Sequence, residues 1–394
     1  MSSELSIFAA RLRAFMELSL EDHGPLDAES ASALAQHADA EFNGMAMVLF
    51  ALQFGRNQPY RKLCESRGVS PNAVAHWSVI PAVPTSAFKE FEMTCLLPDQ
   101  RKHVFHSSGT TEQRPSRHFH SAESLEVYEA SLWAGLQGSL RFAIYDLRLL
   151  SLTPPPAQVP RSSLVHMFGV VQQKLGAGER AFVGGVDANG AWVLDSEAAL
   201  AALSAKDVRP LLILGTAFSF VHLLDELASR NVRVQLPADS RVMETGGYKG
   251  RSREMSKAEL HALITERLGV PAQNIICEYG MSELSSQAYE VTGDEWHVTG
   301  IGSGKSRHTS RATRHFRFPP WARVQVISPE TGREVADGET GLIRVFDLAN
   351  VFSVMAIQTE DLAIRRGEGF ELIGRAKLAE PRGCSLMSGL NTAA

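Results

Sequence analysis

The sequence predicts an α/β protein built on mostly parallel sheet flanked by helices, with a β-rich part toward its C-terminal end. Three observations carry that prediction. Between Leu147 and Tyr279, short apolar runs alternate with amphipathic stretches, the pattern of buried strands joined by covering helices. The segment SKAELHALITERLG bears both a start and a stop signal for a helix. After Gly293 the helix signal fades, and the runs ARVQVIS, GLIRVFD, DLAIR and GFELIG follow one another through turns rich in Gly, Asp and Glu.

Taken in order, the chain opens on a helix whose Leu5, Phe8, Leu12, Phe15 and Met16 share one face. A second helical stretch lies near Phe42 to Phe54, and the prolines of IPAVPTSAF stop helix beyond it. LRLLSL, PLLILG, VRVQL and NIICEY read as buried strands. In the helix between the last two, Ser256 and Glu259 form a capping box, and Leu260, Leu263, Ile264 and Leu268 make the apolar stripe. Gly269 and Pro271 end it.

Composition narrows the function. The 394 residues carry 39 Lys and Arg against 44 Asp and Glu, a net charge of −5. A mildly acidic chain lacks the basic surplus that nucleic-acid binding requires. Cys64, Cys95, Cys277 and Cys384 are widely spaced and form no C-x-x-C pair, which speaks against a structural zinc site or a disulfide framework. No apolar run approaches the roughly 18 residues of a membrane span. Charges at Glu4, Arg11 and Arg13 are foreign to a secretory signal, so a cytoplasmic protein is expected.

Five segments could bear chemistry. HSSGTTEQRPSRHFH (106–120) offers hydroxyls and backbone N–H groups that can wrap phosphate oxygens, or it is a polar surface loop. GIGSGKS (300–306) is not a phosphate-binding P-loop, because Thr299 stands where that motif needs glycine. From Trp296 to Pro329 there are no acidic residues but several basic ones, a solvated surface or one facing an anion. ETGGYKG (244–250) and EYGMSEL (278–284) each follow a strand, where ligands bind in open α/β sheets. There Tyr279 could stack on a base, and the carboxylate of Glu283 suits magnesium. Near the C-terminus, Asp361 could meet ribose hydroxyls, and Arg375 and Lys377 a phosphate or carboxylate. Cys384 has Arg382 two positions before it, which favours the thiolate.

In order and spacing, SSGTT, VHMFG, the GG pair after a strand, YGMSE, TEDLA and GRAK resemble the core motifs of adenylate-forming enzymes. More specifically, ETGGYKGRSREMS, EYGMSELSSQAY and RGCSL resemble the acyl-protein synthetase (LuxE) family. The resemblance runs from about Pro81 to Leu386. It implies an adenylate-forming large domain over 1–375, with a helical lead over 1–60 and a β-rich part over 294–375, and a short tail over 376–394. By the same resemblance Ser107, Ser108, Gly109, Thr110 and Thr111 hold the ATP phosphates. Gly246 and Gly247 line the adenine pocket with Tyr279 against the base, Gly280 belongs to the same ATP and adenylate site, Ser282 and Glu283 meet the α-phosphate and Mg2+, and Asp361 binds the ribose with Arg375 close to it. His166, in VHMFG, gates or lines the acyl site, unless it is a core histidine. Lys377 falls at the hinge, and Cys384 matches the acylated cysteine.

The implied reaction has a physical logic. A carboxylate is a poor electrophile, and attack on the α-phosphorus of ATP gives it AMP as a leaving group, helped by positioning and charge neutralisation. The Cys384 thiolate then forms a thioester, destined for a partner such as an acyl reductase. Three departures stand out. Glu112 occupies a place usually held by glycine, Ser282 replaces a threonine, and the small domain with its lysine is largely missing. Lys249, Lys305 and Lys377 are candidates for that charge. Rival readings are an aryl- or polyketide-acid ligase using coenzyme A or a carrier protein, and a degenerate scaffold without catalysis.

Overall fold

The computed structural model describes residues 3–19, 28–107, 114–140, 146–247, 252–292 and 314–376. The helices are α1 (Glu4–Leu18), α2 (Ala28–Arg56), α3 (Gln58–Ser66), α4 (Ala87–Glu90), α5 (Ala122–Leu140), α6 (Ser163–Lys174), α7 (Ser196–Leu203), α8 (Ala217–Ser229) and α9 (Lys257–Leu268). The first strands are β1 (Val83–Pro84), β2 (His103–His106), β3 (Arg117–His120), β4 (Arg148–Ser151), β5 (Gly184–Val186), β6 (Trp192–Leu194), β7 (Leu211–Thr216), β8 (Arg241–Thr245) and β9 (Ile275–Tyr279). The rest are β10 (Ala288–Thr292), β11 (Arg314–Arg317), β12 (Ala322–Ile327), β13 (Thr340–Asp347), β14 (Ala356–Arg366) and β15 (Gly369–Arg375).

Among the described residues, eleven strands join in one sheet, in the order β12-β13-β14-β15-β11-β10-β9-β8-β7-β4, with β1 beside β14. β4, β7, β8 and β9 run parallel. From β9 onward the path through β10, β11, β15, β14 and β13 to β12 is antiparallel. The β-rich part therefore continues the parallel strands edge to edge, and the sheet as a whole is mixed.

Both faces of the parallel half are covered, as burial of its apolar strands requires. Leu212, Leu214, Met243 and Ile276 pack with Leu132, Leu136 and Phe168 of α5 and α6. Their neighbours Leu211, Ile213, Val242 and Ile275 pack with Phe220, Leu224, Leu260 and Ile264 of α8 and α9. A third cluster joins α1–α3 to the antiparallel half around Phe50, Trp321, Phe346 and Ile357. The helix α9 matches its sequence signals: Ser256 and Glu259 form the capping box, and Gly269 closes it at φ 68°.

One expected strand is absent. VRVQL forms no strand; the Val234 and Leu236 N–H groups donate to the carbonyls of Arg267 and Leu268 at 2.8 and 3.1 Å. Those are carbonyls a helix end leaves unsatisfied, so the segment caps α9 instead of joining the sheet.

The lead helices are tied in by a buried amide. Gln53 Nε2 donates to the carbonyls of Asn350 and Val351 at 2.7 and 3.2 Å, and its Oε1 accepts from the Met355 N–H at 3.0 Å. Gln53→Ala would leave these groups dry and unpartnered, at about 1–3 kcal/mol for each stranded group. The urea midpoint of the variant is expected to fall accordingly with an unchanged slope, and a midpoint equal to wild type would show the amide to be dispensable.

Candidate active site

The carboxyl ends of β8 and β9 deliver Thr245, Gly246 and Gly247 beside Glu278, Tyr279 and Gly280, with Thr245 paired to Glu278 in the register. The Thr245 hydroxyl donates to the Glu278 carboxylate. Gly246 sits at φ 72°, a left-handed conformation that favours glycine. A Cβ on Gly246 or Gly247 would meet nothing within 4 Å among the described residues. At Gly280 a Cβ would come within 2.3 Å of Glu278 Oε1, so a side chain there would displace that carboxylate.

Tyr279 is buried, with its ring among Phe316, Phe318 and Phe370 at centroid distances of 6.1, 6.4 and 5.2 Å. Its hydroxyl donates to Asp361 Oδ2 at 2.8 Å. Burial, and then the Asp361 carboxylate, pushes the phenol well above its ordinary value, which keeps it a donor. Burial also raises Asp361, opposed by the Tyr279 hydrogen bond and by Arg375. Arg375 lies directly across from Asp361 on β15, its Nε 3.8 Å from Oδ1. At 85% exposure that ion pair is a weak one.

Ser282 and Glu283 follow in the turn after β9. The Ser282 hydroxyl donates to Glu283 Oε2 at 3.0 Å, and both residues are buried. The Ser282 carbonyl is 2.9 Å from His118 Nδ1. A carbonyl only accepts, so Nδ1 carries the proton. Burial holds His118 down at about 4, so the ring is neutral at pH 7. His118 belongs to the β2–β3 hairpin, and where its connecting segment begins and ends the Ser107 hydroxyl accepts from the Ser116 N–H at 2.9 Å. The same hairpin thus carries both His118, which contacts Ser282, and Ser107.

His166, on α6, donates through Nε2 to Glu129 of α5 at 3.0 Å. Its ring belongs to a cluster that leads to Ser282. His166 and Phe105 centroids are 5.2 Å apart, Phe105 and His120 4.8 Å, and His120 and His118 4.3 Å. Ser108, Gly109, Thr110, Thr111, Glu112, Lys249, Lys305, Lys377 and Cys384 lie outside the described residues. Of the basic stretch, Arg314 is engaged by Glu290 at 3.2 Å and Arg323 is spread over the Phe42 ring at 4.5 Å.

Sequence reasoning missed two supports. His118 was visible only as one histidine among several in its segment. Asp347 ends a plain-looking strand, yet its buried carboxylate accepts from the N–H groups of Ser285, Ser286 and Ala349 and from the Ser286 hydroxyl, at 2.8, 2.8, 3.0 and 2.6 Å. No local signal marks it, because its serine partners come from 61 and 62 positions away.

The profile of the family described as Acyl-protein synthetase, LuxE matches residues 26–392. The chain belongs to that family. It is similar to the long-chain-fatty-acid–luciferin-component ligase of Aliivibrio fischeri, at 23% identity over 86% of this chain and 85% of the relative. The ligase of the same name from Vibrio harveyi is 21% identical over 86% and 84%. Acyl-protein synthetases are ligases, and this chain is an enzyme of that class. Among solved structures, a 2-hydroxyisobutyryl-CoA ligase in complex with 2-HIB-AMP and CoA superposes with a TM-score of 0.63 at 15% identity, over 90% of this chain and 73% of the other. The same ligase in its postadenylation state gives 0.61 at 14%, over 85% and 68%. The fold is thus that of the adenylate-forming ligases. Among the described residues, no helix is long and apolar enough to cross a membrane.

Glu278 gives the site a pH signature. Burial pushes its carboxyl up from 4.5 to about 7, opposed by the Thr245 hydrogen bond. As pH rises the unfolded chain ionises first, so stability falls between pH 4.5 and about 7 and levels off above. The total cost is about 3 kcal/mol. Glu278→Gln keeps the shape without the charge. Its stability relative to wild type, read from urea unfolding, is expected to improve from pH 5 to pH 8 by about that amount, and a gap independent of pH would contradict the assignment.

Proposed function

We propose that this protein uses ATP and Mg2+ to convert a carboxylic acid of the fatty class into its acyl adenylate. It then loads the acyl group on its own Cys384 as a thioester and yields it to a partner protein, an acyl reductase or a carrier protein. The observation that carries this reading is the pairing of Tyr279 with Asp361 and of Ser282 with Glu283 at the carboxyl ends of β8 and β9. The fatty class rests on the names of the two relatives.

Two adjacent residues without side chains, Gly246 and Gly247, suit a flat base lying against the backbone. Tyr279, donating to one oxygen of Asp361, fixes that carboxylate so its other oxygen can take ribose hydroxyls, with Arg375 at the rim. The Ser282 hydroxyl and the Glu283 carboxylate are an all-oxygen set, which fits a magnesium ion that keeps most of its remaining positions for water and phosphate oxygens. Bound there, the ion would neutralise charge on the phosphates. Ser107 at the hairpin end begins the stretch to Thr111 that would cradle the phosphates, and His118 holds Ser282 in register with it. His166 and its ring cluster would wall the acyl side. Residues 1–375 form the body of the enzyme in this reading, and 376–394 the segment that brings Lys377 and Cys384 to the adenylate.

Carboxylate-dependent ATP–pyrophosphate exchange tests the first half-reaction, with fatty acids giving the highest rates. Glu283→Gln is expected to lower exchange by roughly 100-fold, the scale of losing one charge-stabilising group. Asp361→Ala should raise KM for ATP by about 10- to 100-fold, from loss of a hydrogen bond to a charged group worth about 1.5–3 kcal/mol.

Intact-mass measurement after incubation with ATP and acid tests the second half-reaction. An acyl adduct should form on the wild type and be missing from Cys384→Ser, whose exchange activity persists. Exchange with no adduct would instead assign the acceptor role to coenzyme A or a carrier protein. Absence of exchange with every fatty and aromatic acid would leave only a scaffold.

A further inference from the structure

A second group of chemistry-bearing side chains lies one residue back from Thr245 and Glu278. Successive strand residues point to opposite faces of a sheet, so Glu244 and Cys277 face away from the Thr245–Glu278 pair. The register places Glu244 and Cys277 side by side, and His261 of α9 reaches both. Cys277 Sγ is 2.7 Å from Glu244 Oε1, His261 Nε2 is 3.4 Å from the same oxygen, and Sγ and Nε2 are 3.6 Å apart. All three residues are buried, at 6% exposure for Glu244, 8% for His261 and 3% for Cys277.

We propose that Glu244, His261 and Cys277 form a binding site for a borderline-soft divalent cation of the zinc type. Thiolate, imidazole and carboxylate together are the donors zinc accepts, whereas magnesium and calcium select oxygen. With metal–ligand bonds of about 2.0–2.3 Å, the edges of a coordination tetrahedron come to roughly 3.3–3.6 Å. The His261–Glu244 and His261–Cys277 spacings already have that length. The Cys277–Glu244 spacing reaches it by a small turn of one carboxylate.

Two neighbouring groups carry charge here: the Lys257 ammonium faces Cys277 and Glu244 as well as Glu290, which favours the thiolate and the carboxylate. Glu290, buried on the adjacent strand β10, is held by Lys257 and by Arg314, so it stands outside the donor set. Three protein donors leave the fourth position to water. When the sulfur–metal bond forms, the Cys277 S–H proton leaves to the buffer and nothing is oxidised. An ion here would pin α9 to β8 and β9 one residue before Thr245 and Glu278. The inference rests on these three side chains alone and stands or falls apart from the ligase reading.

The test uses the full chain, stripped with a chelator, dialysed and titrated with Zn2+ alone and with Co2+ alone. One equivalent of Co2+ is expected to bind, with a thiolate-to-cobalt charge-transfer band and the intense visible bands of tetrahedral geometry, both bleached by Zn2+. Cys277→Ser should abolish the charge-transfer band and weaken zinc binding by more than the roughly 100-fold cost of losing an outer-shell partner. The band should survive in Cys64→Ser, Cys95→Ser and Cys384→Ser. Should Cys277→Ser fail to fold, His261→Gln decides by loss of the tetrahedral intensity. A wild-type protein without the band, or a band that persists in a folded Cys277→Ser or at full intensity in His261→Gln, overturns the proposal.

Discussion

The placement of Ser282 and Glu283 depends on a carboxylate that touches neither of them. Asp347 is wholly buried at the end of β13 and receives four hydrogen bonds, three from Ser285 and Ser286 and one from Ala349. An isolated buried carboxylate is costly, and this one is tolerable because its lone pairs are satisfied. Asn350 completes the clamp, accepting from the Ser285 hydroxyl at 2.7 Å and donating to the Glu283 carbonyl at 2.9 Å. The turn after β9 is therefore a rigid shelf held from the antiparallel half of the sheet. The continuity of the sheet matters for the same reason, since it fixes β13 and β14 relative to β8 and β9 and brings Asp361 to Tyr279.

A second constraint acts from the opposite side. His118 donates to the Ser282 carbonyl through Nδ1, and burial keeps the ring neutral. Because His118 sits on the hairpin that ends in Ser107, the same bond sets how that hairpin approaches the shelf. The ring contacts from His118 through His120 and Phe105 to His166 extend the packing to α6. Two faces of the candidate site, the nucleotide shelf and the α6 wall, are thus parts of one packed unit.

The sequence made the local features plain and hid those built across distance. Helix α9 was legible because its cap, stripe and terminating glycine lie within fourteen consecutive residues, Ser256 to Gly269. VRVQL misled because alternating valines suit a strand, whereas its amides were needed at the end of α9, a demand visible only in three dimensions. DLAIR was recognised, but β14 begins at Ala356, since Gln358, Thr359 and Glu360 mask a strand whose partners β13 and β15 supply the burial. At the site, Gly246, Tyr279, Glu283 and Asp361 were named because each stands in a short motif of fixed order. His118 and Asp347 had no motif, only long-range partners. Glu244, His261 and Cys277 escaped for the same reason, since a spacing of 17 and 16 residues matches no sequence pattern for a metal site.

The proposed loading of an acyl group on Cys384 also requires that the activated group find the right sulfur. Cys64 is wholly buried, and burial pushes its thiol up to about 11. Cys95 is pushed up to about 12 by the same cause and lies against the Ser353 carbonyl. Cys277 is enclosed by Glu244 and His261 behind the sheet. The thiolate is the nucleophile, and at neutral pH a thiol at about 11 or 12 is almost never in that form. Burial thus makes Cys64 and Cys95 poor nucleophiles toward an adenylate, and in the self-loading reaction proposed above the acceptor is Cys384.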